Sequence, residues 1–231
     1  MIQQLNCTMQ QLCGKLITFE GVDFAGKTTQ IAMLKDHLDR LQIPSIVTHQ
    51  PHDPNIRSLI LSKRNESNLM PVAELLLYMA DRTQHCKEVI LPNLKNGKVV
   101  LCDRFVDSSV AYQGYGKGID IEYIDMLNSM ALDGLQVDAT IFLDVDRKEA
   151  ANRRQNQVLD KMESLGNDFF DKVNRGFVEL CSKNSHRMHR VDGTLDKLTV
   201  HRNILEILHS AFRSKTQSTA SLVVESLEQL V

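Results

Sequence analysis

The sequence predicts a three-layer α/β protein in which a five-stranded parallel sheet carries helices on both faces. Three observations predict it. Apolar runs of strand length recur at 16–19, 45–47, 99–102, 139–145 and 188–191; longer stretches of helical periodicity separate them; and a glycine-rich turn follows the first run directly. Strands joined through helices pair in parallel, because each crossover returns the chain to the same edge of the sheet. A chain of 231 residues suits one such domain with a single sizeable core.

The elements follow in order. Residues 1–14 are expected to form an N-terminal extension ahead of a domain spanning 15–213, with a C-terminal tail over 214–231. The first helix carries Ile31, Leu34, Leu38 and Leu41 on one face and stops near Gln42, before Pro44. A second long helix starts around Pro71, a good first-turn residue, and runs through Leu75, Leu76, Met79 and Arg82, with Pro92 marking a kink or break. Helical character returns at 120–132, 146–156, 167–184 and 196–213. Beyond Ser214 a loose segment ending in a short helix is expected.

Composition bounds the function. Lys+Arg 27 against Asp+Glu 29 gives a net charge of −2, without the basic excess of a nucleic-acid-binding surface, so any phosphate site is local and no nucleic-acid partner is expected. Five cysteines, Cys7, Cys13, Cys86, Cys102 and Cys181, form no Cys-x-x-Cys pair, which argues against a disulfide framework or a zinc site. The N-terminus lacks a cationic start and an apolar segment, and no run of 18 apolar residues occurs. A cytoplasmic protein with no membrane partner is expected. His186 and His189 have no Cys or carboxylate partner at ligand spacing and read as surface or structural side chains.

The chemistry starts at residues 21–28, Gly21-Val22-Asp23-Phe24-Ala25-Gly26-Lys27-Thr28, with Thr29 following in the helix. Strand, loop and helix in that order are the context a phosphate-binding loop requires. Gly21 and Gly26 let successive N–H groups point inward around a polyphosphate such as ATP, the helix presents its positive end, and Lys27 and Thr28 reach phosphate oxygens and a magnesium ion (Mg2+). Next, the run Val99-Val100-Leu101-Cys102 delivers Asp103-Arg104 to a strand's carboxyl end, the edge where open parallel sheets bind ligands, and Asp103 there suits a water-bridged magnesium. The following Ser108-Ser109-Val110-Ala111-Tyr112-Gln113-Gly114 supplies hydroxyls, a ring and an amide for a small polar ligand.

Phe19-Glu20-Gly21-Val22-Asp23, Ala25-Gly26-Lys27-Thr28-Thr29-Gln30, and Asp103-Arg104 with Ser108 and Ala111-Tyr112-Gln113-Gly114 together resemble the thymidylate kinase family. The likeness covers roughly residues 15–213 and extends to Leu77-Tyr78-Met79-Ala80-Asp81-Arg82, Leu143-Asp144-Val145, Asp160-Lys161-Met162-Glu163 and Asp168-Phe169-Phe170. It implies a doubly wound sheet, a lid over about 152–164, frequent homodimers, and transfer of the ATP γ-phosphoryl group to dTMP.

Site roles come with the resemblance. Asp23 is implied to accept a hydrogen bond from the 3′-hydroxyl of the sugar. Tyr78 and Arg82, four apart on one helical face, are implied to stack on a pyrimidine and to bond its edge. Tyr112 resembles the tyrosine that crowds the 2′ position, while Gln113, Ser108 and Ser109 bond base or phosphate. Because two polyanions meet and the acceptor oxygen is already ionised, cations rather than a base should carry catalysis. Lys27 is implied to bridge the β- and γ-phosphates, Arg104 and Arg57 to grip the acceptor phosphate, and Arg153 or Arg154 to close over ATP from the lid.

Three residues depart from the family pattern. Phe24 stands where one branch places a loop arginine, which leaves the transition-state arginine to the lid. Gln50-Pro51 replaces an acidic or aromatic residue before proline, and Phe105 replaces a tyrosine or histidine after Asp-Arg; both loosen the expected nucleobase choice. Two rival readings stand beside this one. A deoxynucleoside kinase needs a carboxylate base after the second strand, where Asp53 is the sole candidate, and a nucleotide-binding switch module needs no acceptor site at all.

Overall fold

A computed structural model describes residues 9–65, 69–153 and 167–228. Five parallel strands lie in the order β2-β3-β1-β4-β5, formed by β1 (Leu16–Glu20), β2 (Ser45–His49), β3 (Val99–Asp103), β4 (Ala139–Asp144) and β5 (Met188–Asp192). All five expected strands are present, each within a residue or two of its expected ends. β1 is central and buried along its whole length, which is why its sequence reads as a continuous apolar run; β2 is an edge strand with only Thr48 buried. The order reverses direction beside β1, so a crevice opens at its carboxyl end.

Helices α1 (Lys27–Arg40) and α9 (Lys197–Glu228) pack on one face of the sheet. The other face carries α3 (Pro71–His85), α4 (Leu91–Lys95), α5 (Val106–Ser109), α6 (Ile121–Leu132) and α8 (Asn167–Lys183). Two further helices, α2 (Pro54–Asn65) and α7 (Arg147–Arg153), flank the strand ends. Aliphatic side chains of α1 and α9 and the phenylalanines of α8 fill the main core; Phe142 stacks on Phe177 at 5.2 Å. Burying side chains of this size supplies roughly 1.5–3 kcal/mol each.

Two helices widen into π-turns. Residues 86–90 form one just ahead of Pro92, which lacks the N–H that would close the normal bond to residue 88, so the expected break takes the form of a wider turn. Residues 110–116, carrying Tyr112 and Gln113, form the other. Met9 and Leu12, ahead of the expected domain boundary, are both buried in the core, and the α9 backbone runs on past Arg213 to Glu228.

Candidate active site

The phosphate loop hangs between β1 and α1. Gly21 takes φ 137°, and a Cβ there would lie 2.6 Å from the Leu143 carbonyl oxygen of the neighbouring strand, so only glycine lets the loop leave β1 at this angle. Phe24 and Gly26 also adopt positive φ, and Gly26 caps α1 without a side-chain hydrogen bond. The first N–H groups of α1 are thereby left to an anion. Val22 and Ala25 are buried beneath the loop, while Thr28 and Thr29 stand exposed at the helix start. Lys27 folds back onto the loop and donates to the carbonyls of Val22 at 2.9 Å and Gly21 at 3.2 Å. Burial, then repulsion by Arg104, pulls its pKa down to about 8 against the opposing pull of Asp103, Asp23 and Glu20.

Arg104 sits at the end of β3 with φ 64° and points into the loop. Its guanidinium donates to Asp23 at 2.6 Å, to the Gly21 carbonyl at 3.0 Å and to Ser108 at 3.3 Å, and lies over the Tyr112 ring at 5.1 Å. Burial would raise the Asp23 carboxyl, but Arg104 and Lys27 outweigh it and hold Asp23 below its ordinary value. Thr28 donates to one carboxylate oxygen of Asp103 at 3.2 Å; the other, Oδ1, is buried and takes no hydrogen bond among the described residues. An orphan carboxylate oxygen beside a helix-start hydroxyl fits a divalent cation.

Glu20 underlies this corner and has no role in the sequence expectations. Its carboxylate accepts from the backbone N–H of Phe105 at 2.7 Å and of Ser108 at 3.2 Å, and from the Ser108 hydroxyl at 2.5 Å, so it holds the turn that aims Arg104. Burial, with the nearby charge of Asp107, raises its pKa to about 7. A carboxylate ending a wholly buried, largely apolar strand is the signal that could have found it.

Asp23, Lys27, Thr28, Arg57, Tyr78, Arg82, Asp103, Arg104, Ser108, Ser109, Tyr112, Gln113 and Arg153 all line one cleft of about 1220 Å³. Two of them are bonded extensively to the protein itself. Arg82 is 2% exposed and commits all five N–H groups to the protein: Nε to Gln50 at 2.9 Å, Nη1 to Asn128 and to the Met79 sulfur, and Nη2 to the Phe105 carbonyl at 3.1 Å and Ser109 at 3.0 Å. It frames the pocket floor and draws Gln50, Asn128 and Ser109 together around the site expected for the base. Arg153 lies on the outer rim of the phosphate loop, donating to the Gly193 carbonyl at 2.7 Å and the Ala25 carbonyl at 3.4 Å and pairing with Glu149. Arg154 and the rest of the expected lid, 154–164, lie outside the described residues.

The side of the cleft expected to take the acceptor is built by α2, α3 and the π-turn at 110–116. Arg57 is exposed on α2, and the Tyr78 hydroxyl accepts from Arg64 at 3.0 Å. The buried Asp81 accepts from the backbone N–H of His52 at 2.8 Å and Asp53 at 2.7 Å, pinning the loop that carries Gln50 to α3. The Tyr112 hydroxyl is buried and makes no hydrogen bond among the described residues. Asp53 accepts from the N–H groups of Asn55 and Ile56 and so serves as the cap of α2. Gly193, Leu195 and Lys197, which line the rim beside Arg153, were not legible in advance, because the connection from β5 to α9 carries no motif.

Comparison with known proteins agrees with this geometry. A family model described as thymidylate kinase matches residues 19–204. Curated thymidylate kinases are similar: that of Trichormus variabilis is 43% identical over 201 residues, covering 84% of this chain and 95% of its own, and that of Pelotomaculum thermopropionicum is 41% identical over 199 residues, covering 84% and 92%. The crystal structure of thymidylate kinase from Ehrlichia chaffeensis superposes with a TM-score of 0.69 at 33% identity, covering 85% of this chain and 98% of its own.

Proposed function

Because the chain belongs to the thymidylate kinase family, and is thus a phosphotransferase that moves the γ-phosphoryl group of ATP to dTMP, we propose that the 1220 Å³ cleft works as two opposed sites joined at the Asp23–Arg104 pair. That pair carries the reading. Asp23 belongs to the donor loop and Arg104 to the acceptor side, so the salt bridge marks where the two nucleotides meet. An oxygen of the dTMP phosphate attacks the γ-phosphorus, the bond to the β–γ bridging oxygen breaks, and ADP and dTDP leave. The attacking oxygen is already anionic, so the work is positioning and charge neutralisation.

Lys27, once drawn off the loop carbonyls by a polyphosphate, bridges the β- and γ-phosphates, and Arg104 with Arg57 holds the acceptor phosphate. Asp23 accepts from the sugar 3′-hydroxyl, the Tyr78 ring stacks on the pyrimidine, Tyr112 crowds the 2′ position, and Ser108, Ser109 and Gln113 contact base or phosphate. Thr28 and Asp103 are the residues that would hold a magnesium ion, which when bound neutralises phosphate charge. Arg153, seated beside Gly193, Leu195 and Lys197, faces the donor nucleoside, and Arg154 is the lid arginine left for the transferring group. Arg153→Ala is expected to raise KM for ATP and Arg154→Ala to lower kcat; equal, near-wild-type rates in both would remove the lid assignment.

Purified protein with ATP and magnesium, offered dTMP, thymidine or no acceptor while ADP release is followed, tests the reading. ADP formed only with dTMP supports it, whereas thymidine-dependent turnover points to a nucleoside kinase and acceptor-independent turnover to a switch. The capping role of Asp53 speaks against the nucleoside kinase, whose base it would have to be.

A homodimer is also proposed, formed through the face where Val72 and Leu76 of α3 adjoin Tyr123, Met126 and Met130 of α6, all at least half exposed. Sedimentation of Leu76→Glu, expected to be monomeric, tests it. Among the described residues no helix is long and apolar enough to cross a membrane, and together with the cysteine pattern this supports a cytoplasmic location.

A further inference from the structure

Glu74 lies one helical turn before Tyr78 on α3 and is 1% exposed. Its two carboxylate oxygens take different partners: Oε1 pairs with Arg64 of α2, and Oε2 with Lys117, which follows the π-turn at 110–116. The two cations are themselves largely covered, at 13% and 14% exposure, so they and the carboxylate that bridges them form one buried cluster. Each partner leads onward into the acceptor pocket. Arg64 lines the cleft and donates to the Tyr78 hydroxyl at 3.0 Å, and the backbone N–H of Lys117 donates to the Tyr112 carbonyl at 3.1 Å. A single carboxylate therefore ties together the three elements that build the acceptor side, α2, α3 and the π-turn.

Resting on the two-site reading above, we propose that Glu74 is a positioning residue for the acceptor nucleotide, fixing through Arg64 and Lys117 the angle of the Tyr78 ring and the closure of α2 over the pocket. The physical reason is charge. Without the carboxylate, the anion that bridges Arg64 and Lys117 is gone and the two like charges face each other directly, so α2 and the π-turn move apart and Arg64 holds the Tyr78 hydroxyl less firmly. The hydrogen bonds of the cluster lead to the acceptor side, and the donor loop feels it through the charge of Arg64 on Asp23, so the defect falls chiefly on the acceptor.

Glu74→Gln, Lys117→Met and Tyr78→Phe are to be compared with the wild-type chain for KM of dTMP, KM of ATP, kcat and melting temperature. Expected is a rise in KM for dTMP of about tenfold for Glu74→Gln and about threefold for Tyr78→Phe, with KM for ATP within about twofold and kcat within about threefold, the signature of lost uniform binding. In the double variant, Tyr78→Phe should add less than about twofold on top of Glu74→Gln, because both remove one linkage. Lys117→Met and Tyr78→Phe carry the test by themselves if Glu74→Gln does not fold. Unchanged KM for dTMP, a parallel change in both KM values and kcat, or full additivity in the double variant would overturn the proposal while leaving the kinase reading intact. A wild-type chain that turns over no dTMP would remove both.

Discussion

Replacing Arg104 by methionine keeps most of the side-chain bulk and removes only the charge and the donors. The stability cost comes from three contacts. The pair with Asp23 is short at 2.6 Å, but Asp23 is 47% exposed, so solvent screening holds it to about 1 kcal/mol or less. Cation–π contact with the buried Tyr112 ring adds about 1–2 kcal/mol, and the bonds to the Gly21 carbonyl and Ser108 are largely offset by the cost of burying the guanidinium. A net loss of about 2 kcal/mol lowers the melting temperature of a chain this size by about 4–8 °C, which leaves it folded. The catalytic cost is larger. In the two-site arrangement proposed above Arg104 is the cation fixed at the junction, and deleting one donor of this kind from a transition state costs about 2.7–4 kcal/mol, or about 10²–10³ in rate. Arg104→Lys should recover little of it, because one ammonium cannot serve Asp23, Gly21 and Ser108 together as a planar guanidinium does. Dependence of ADP release on dTMP gives kcat/KM, and a thermal melt gives the stability term. A folded Arg104→Met enzyme within threefold of wild-type kcat/KM would refute the placement of Arg104 at the transferring phosphate.

Further outcomes follow from the same corner of the molecule. With its pKa pulled down to about 8, Lys27 is partly neutral in the nucleotide-free protein above that pH, and a bound polyphosphate should recharge it; calorimetry in buffers of differing ionisation enthalpy is expected to show proton uptake on ATP binding near pH 8.5 to 9 that vanishes below about pH 7, and uptake absent at all pH would contradict the burial of its ammonium. Glu20, raised from 4.5 to about 7, stabilises the fold most when protonated, so its contribution is fully present below about pH 4.5 and is lost as pH rises through about 7; Glu20→Gln, always neutral, should flatten the stability curve across that window in denaturant titrations, and an unchanged curve would show that the carboxyl titrates normally. Gly21→Ala should destabilise the chain by at least the roughly 1–3 kcal/mol of a strained backbone and abolish ATP binding, since the added Cβ meets the Leu143 carbonyl; a variant that melts with the wild type and binds ATP would show that the loop can leave β1 another way.

Local chemistry alone determined the sheet and the phosphate loop, while most of the residues around the cleft came with the family resemblance. A buried parallel strand is largely apolar, a loop that wraps phosphate must place glycines where no Cβ fits, and both demands are written over a few consecutive residues such as 16–28. The four-residue spacing of Tyr78 and Arg82 likewise forced them onto one face of α3, where the cleft lies. What Arg82 does there was decided only by tertiary structure, because its acceptors come from Gln50, Phe105, Ser109 and Asn128, on segments brought together by the fold. The same holds for Glu74, whose partners are 10 and 43 residues away, and for Glu20, which reaches the turn 85 residues on. A side chain's type is a property of the chain, but whether its donors are free for a ligand or already spent on neighbours depends on contacts between distant segments, and those exist only once the helices have closed on the sheet.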